Sequence, residues 1–165
     1  MPSAYADGRS AIADGDLIAV RGRRGVVPIL TRWVTRSAYT HTAVAVWLDG
    51  GLWAAEINVG GNHLVPVSQL RDAFDVYDCP GDRAAVREVV LRRLRTARRY
   101  GVLDLFLIAA RRLLGVHLGN SQDEVCSEFS ARVYVEAGTV LDVPSLPAPD
   151  EVAAAVGFLK LRITV

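Results

Sequence analysis

The chain is short of several things that would have settled its class at once. Lys160 is its only lysine, so arginine supplies nearly all the positive charge, and the net charge is +1. Neither a nucleic-acid footprint nor an acidic tail shows in that balance. Two cysteines and three histidines stand at scattered positions with no zinc-ligand spacing, so no metal and no cofactor is expected. No segment approaches the roughly 20 apolar residues of a membrane span. Met1 to Asp16 has no basic lead and no apolar core, so no signal peptide is read there. The expected location is the cytoplasm as synthesised, or a virion or other assembly. Internal repeats, low-complexity tracts and linkers are missing as well.

What remains is 165 residues, 51% hydrophobic and 22% charged, enough for one domain over 1–165 with a real core. After a polar lead, Asp14-Gly15-Asp16 turns into a short apolar strand, Leu17 to Val20. Pro28 opens an amphipathic helix running to about Arg36. His41 to Leu48 and Leu52 to Val59 read as strands joined at Asp49-Gly50-Gly51. Gly60-Gly61-Asn62 breaks the second strand. Next come a strand over His63 to Val67, a short helix over Ser68 to Ala73 and a strand over Phe74 to Asp78. Asp82 caps a long helix whose apolar face holds Val86, Val90, Leu94 and Ala97, with Arg83, Arg87, Arg92, Arg95 and Arg99 on a solvated face. Val102 to Leu114 is a very apolar helix, and Gly115 to Gln122 a loop. A helix near Cys126 follows, stopped by Gly138. Asp150 caps a last helix, Glu151 to Val156, and Phe158 to Val165 closes with a strand. Helices mixed with mostly antiparallel strands make the expected fold class α+β.

The chemistry concentrates in three residues. A two-residue turn at Asp49-Gly50 makes facing positions of the hairpin sum to 99, so Ala43 faces Glu56 and His41 faces Asn58. Alternation then puts His41, Glu56 and Asn58 on one face; a three-residue turn would send Glu56 to the other. A histidine with a carboxylate or amide to orient it is what a cysteine nucleophile needs. Cys126, at the start of a helix, is the candidate nucleophile, because the helix dipole favours thiolate there. Ser121-x-x-Glu124 has the form of a capping box that would start the helix earlier. Cys79 reads as a structural thiol, and His63 and His117 as surface or loop residues.

Four stretches carry a family resemblance: Gly15-Asp16-Leu17-Ile18, Ser37-x-Tyr39-Thr40-His41-Thr42-Ala43-Val44, Ala55-Glu56 with Gly60-Gly61, and Cys126-Ser127-Glu128. In this order the chain resembles the circularly permuted NlpC-type papain-like cysteine peptidases, their YiiX-like branch in particular. The histidine precedes the cysteine by 85 positions, the reverse of the unpermuted order. Thr40 and Thr42 depart from the family's usual Ser before the histidine and Val or Ile after it.

The resemblance implies a papain-like fold with a mostly antiparallel sheet packed on helices and the nucleophile at a helix N-terminus. It implies Cys126 as nucleophile, His41 as base and Glu56 as orienting residue, with Asn58 the alternative third residue. It adds an oxyanion hole at the Cys126 backbone N–H and Tyr100 and Ser127 as candidate cleft residues. It favours a helix that begins near Cys126. The implied activity is a cysteine hydrolase cleaving an amide, as in a peptidoglycan stem peptide, or an acyl ester or thioester. The competing expectations are a lipid acyltransferase and a non-catalytic module of a larger assembly such as a phage tail. Nucleic acid is not an expected partner.

Overall fold

The computed structural model of the protein describes residues 4–22, 37–58, 60–96, 108 and 124–164. Six strands form one antiparallel sheet: β1 (Leu17–Val20), β2 (His41–Leu48), β3 (Gly51–Asn58), β4 (Gly61–Pro66), β5 (Phe74–Tyr77) and β6 (Leu159–Ile163). Their order across the sheet is β4-β3-β2-β1-β5-β6. Among the described residues four helices with both ends described accompany them: the single turn α1 (Tyr5–Gly8), α2 (Arg83–Leu94), α3 (Cys126–Glu136) and α4 (Pro149–Val156). The fold is α+β, as the mixed pattern implies.

Both faces of the central strands are covered, which is why Leu17 to Val20 is apolar throughout. On one face Leu17, Ala19, Val44, Val46, Ala55 and Ile57 meet Val86 and Val90 of α2, Phe129 and Val133 of α3, and Val152 of α4. On the other, Ile18, Ala43, Ala45, Ala54, Phe74 and Val76 pack with Ile12, Val67 and Ile163. Burying such a side chain is worth about 1.5–3 kcal/mol. The two covered faces therefore fix β1 and β2 more firmly than the edge strands.

Several boundaries differ from the sequence reading for local reasons. The lead segment contains α1 and a 3-10 turn at Arg9–Ala11. Gly61 starts β4 rather than breaking a strand, because Asn58 pairs with Gly61 across a two-residue connection. The helix expected over Ser68 to Ala73 is one 3-10 turn, Val67–Gln69, since Leu70 already returns to extended backbone. The last helix starts at Pro149 instead of behind Asp150. Proline's fixed φ suits a first helical position, and the Glu151 carboxylate accepts the Ala148 N–H at 2.7 Å. The final strand is shorter than expected, Leu159–Ile163. Asp82 does cap its helix, accepting from the N–H groups of Ala84 and Ala85. The expected helices over Pro28 to Arg36 and Val102 to Leu114, and the loop to Gln122, lie outside the described residues, apart from helical, buried Ile108. Among the described residues no helix is long and apolar enough to cross a membrane.

The Gly15-Asp16 pair anchors the start of β1. Gly15 has φ +80, and a Cβ there would meet the Cys79 sulfur at 2.9 Å. Asp16 is fully buried, and its two oxygens accept from the N–H groups of Ala13 and Cys79, from Arg83 at 2.7 Å and from Lys160 at 3.0 Å. One carboxylate thus ties β1 to the start of α2 and to β6. Asp16→Ala strands two cations and two backbone donors around an emptied site. It is expected to lower unfolding stability by roughly 3–5 kcal/mol, measured as a fall in the urea midpoint; a change under about 0.5 kcal/mol, the scale of ordinary surface substitutions, would refute this account.

Candidate active site

The β2–β3 hairpin turns through Asp49 (φ 50) and Gly50 (φ 73), the doubly left-handed geometry that matches strand twist. Pairing runs from Leu48↔Gly51 to Val44↔Ala55, so facing positions do sum to 99. With that register His41 and Glu56 share a face, and His41 Nε2 lies 2.6 Å from Glu56 Oε2. Asn58 is placed elsewhere: its Oδ1 accepts the Gly60 N–H at 2.7 Å and its Nδ2 lies 2.9 Å from His63 Nε2. Glu56, not Asn58, therefore meets the histidine.

Helix α3 begins at Cys126, behind an extended Val125 that offers no side-chain cap. The first bond at its N-terminus runs from the Phe129 N–H to the Val125 carbonyl at 2.8 Å. Helix geometry leaves the Cys126 N–H without an intrahelical partner, pointing out of the N-terminal end. Glu124 takes no capping role. It is buried and both its oxygens accept from one Arg93 nitrogen, at 3.0 Å each, with Arg132 Nε 3.6 Å from Oε1. Ser121 lies outside the described residues, as do Tyr100 and His117. Ser127 is buried.

A small hydroxyl triangle joins α3 to β2. Thr42 Oγ1 donates to the Cys126 carbonyl at 3.0 Å, Ser130 Oγ lies 3.1 Å from the same carbonyl, and the two hydroxyls are 3.0 Å apart. All three residues are buried. Thr42 follows His41 directly, so the bond fixes the cysteine's backbone against the histidine's strand. A valine or isoleucine at position 42 would supply no such donor.

The electrostatics follow from this placement. Burial alone would push the Cys126 thiol up, but the His41 charge and hydrogen bond, with the Thr42 backbone N–H, outweigh it and hold the thiol below its ordinary value. Burial also opposes charge on His41, yet Cys126 and Glu56 outweigh it and raise the imidazole well above 6.5. Glu56, 7% exposed, is disfavoured as an anion by burial but kept below the usual carboxylate range by His41 and His63. An ionised carboxylate only accepts, so His41 Nε2 carries a proton and Nδ1 is the nitrogen left to exchange one with the thiol. All three shifts favour the charged form of the group: thiolate at Cys126, imidazolium at His41, carboxylate at Glu56.

Two residues near the site depart from the sequence reading: His63, read as a surface or loop residue, is half-buried on β4, and Arg93 was not singled out. His63, on β4, has Nε2 3.0 Å from Glu56 Oε1. The hairpin arithmetic finds it, since Asn58↔Gly61 makes Glu56 and His63 direct partners. Arg93 falls on the buried face of α2 beside Val86, Val89 and Val90, where the expected face ran to Leu94 and Ala97. It pairs with Glu124 and Glu136, and its guanidinium lies over the Phe129 ring at 5.7 Å. Cys79 and Cys126 are both free; burial raises the Cys79 thiol, whose sulfur lies 3.5 Å from the Gly81 carbonyl. Among the described residues no group of three or more His, Cys, Asp or Glu is arranged to hold a metal.

Thr42→Val keeps the side chain's shape and removes its donor from the Cys126 carbonyl. The expected cost is about 1–3 kcal/mol of stability, read from urea unfolding, with Thr42→Ser recovering most of it. A valine variant as stable as the parent would show that the triangle does not fasten α3 to β2.

No known family's sequence pattern matches the chain. No curated protein matches it either. The structure is similar to one solved for metalloprotein yiiX from Escherichia coli O157:H7, DUF1105, with a TM-score of 0.46 and 18% sequence identity, over 66% of this chain and 70% of that one.

Proposed function

We propose that the protein is a cysteine hydrolase of the circularly permuted papain-like kind, acting on an amide, ester or thioester through an acyl-enzyme. The observation that carries the reading is the position of the His41 ring. It bonds the Glu56 carboxylate through Nε2 at 2.6 Å, and it and the Cys126 thiol, on the first residue of a helix, favour each other's charged forms.

The chemistry runs as follows on this reading. The Cys126 thiolate attacks the carbonyl carbon, forming a C–S bond while the carbonyl π electrons move to oxygen. The Cys126 backbone N–H, at the positive end of α3, is suited to stabilise that oxyanion. The intermediate collapses, the bond to the leaving amine, alcohol or thiol breaks, and imidazolium His41 supplies its proton. Neutral His41 then takes a proton from water, whose oxygen attacks the thioester; the acid leaves and the thiolate–imidazolium pair returns. Glu56 holds the ring and offsets its charge throughout. Peptidoglycan stem peptides and acyl lipids are the two substrate classes, and an acyl acceptor in place of water would give a transferase.

The test is alkylation of Cys126 by iodoacetamide across pH, in the parent and in His41→Ala. The lowered thiol predicts labelling that persists well below the ordinary pKa of about 8.5 and is lost only as acid protonates the thiolate. In His41→Ala the edge returns to that ordinary range or above, so labelling near pH 6 falls at least about tenfold. Coincident curves would overturn the dyad. Peptidoglycan fragments and lipid esters, incubated side by side with the parent and Cys126→Ala, then separate the substrate classes.

A further inference from the structure

We propose that His63 is a positioning residue, a second imidazole that holds the Glu56 carboxylate so that its other oxygen stays on His41. The inference rests on the cysteine-hydrolase reading and adds to it a residue on a fourth element, β4.

Glu56 and His63 are direct cross-strand partners in the β3–β4 pair. The two carboxylate oxygens are divided between two rings: Oε2 with His41 Nε2 at 2.6 Å, Oε1 with His63 Nε2 at 3.0 Å. Glu56 is buried, so little water is at hand to replace either contact. A carboxylate with one anchor swings about its terminal torsion, which is broad. A second donor on the other oxygen removes that freedom.

His63 is itself held from both ends. Its Nδ1 lies 3.0 Å from the Gly61 carbonyl, which can only accept, so Nδ1 carries a proton. The Asn58 amide is oriented by the Gly60 N–H on its Oδ1, and therefore turns its NH2 toward His63 Nε2. Nε2 is thereby turned to the Asn58 amide and to Glu56 Oε1 together. Among the described residues, the ionisable groups identified around Glu56 are His41 from β2, His63 from β4 and, at longer range, Cys126 from α3, and those around His41 are Cys126 and Glu56.

The readout is the titration of the His41 ring, followed by NMR in the intact chain. Loss of the clamp weakens the His41–Glu56 bond, so His63→Ala and His63→Leu are expected to lower the His41 titration by about 0.5–1 pH unit, a threefold to tenfold change in proton affinity. His63→Gln, which keeps an N–H donor but no titrating ring, is expected to restore most of the loss. Leucine suits an edge strand that alanine weakens, so one of the two donor-free variants serves if the other fails to fold. A His41 titration that stays put would overturn the proposal. So would one that rises, because His63 would then only draw charge away from His41. Failure of the parent reading looks different: iodoacetamide labelling of Cys126 would be indifferent to His41→Ala whatever His63 does.

Discussion

The contact on which the rest depends is the hydrogen bond from Thr42 to the Cys126 carbonyl. It joins two pieces of chain 84 positions apart, one carrying the proposed base and the other the proposed nucleophile. Sheet and helix packing bring α3 near β2, but apolar contacts are non-directional and do not fix a helix's position along a strand. A buried hydroxyl on a carbonyl does, because misalignment leaves both groups unsatisfied in a dry interior. Ser130, one turn further along α3, shares the same carbonyl and the same hydroxyl. The Cys126 backbone is thus held against the His41 strand by hydroxyl–carbonyl bonds rather than by the cysteine and histidine side chains themselves.

Around this contact the protein spends several buried charges. Asp16 ties β1 to α2 and β6, Arg93 ties α2 to Glu124 at the entrance to α3 and to Glu136 near its end, and Asp75 collects Arg21, Arg162 and the Tyr39 hydroxyl. Each joins elements that the apolar layers alone would leave free to slide. Buried pairs of this sort are poor sources of net stability, while breaking one is costly. Their evident use here is register, with α3 held at both ends by a cation from α2.

The hairpin geometry was legible in the sequence because a two-residue Asp-Gly turn leaves no freedom in register, and alternation then assigns faces. That reasoning put His41, Asn58 and Glu56 on one face, with Asn58 opposite the histidine and Glu56 diagonal to it, and the same step across Gly60-Gly61 reaches His63. Helix α3 starting at Cys126 was legible from motif order, against a local capping-box pattern. Glu124 shows why local pattern misled: its carboxylate answers Arg93, a residue 31 positions away that no short-range rule connects to it. Arg93 was overlooked for the matching reason, since an arginine on an apolar face reads as an interruption until its acidic partners are known. Thr42 looked like a mild departure from a pattern because a hydroxyl's value depends on which carbonyl lies opposite.

The order of these pieces along the chain has a kinetic consequence. The hairpin holding His41, Glu56 and His63 is local and closes early by the ordinary logic of loop entropy, whereas its junction with α3 must wait for a long loop to close. Until then Cys126 is an ordinary thiol, mostly protonated and slow to react. The proposed pair comes together only with the completed fold, so on that reading a nascent or misfolded chain carries the cysteine without an activated thiol.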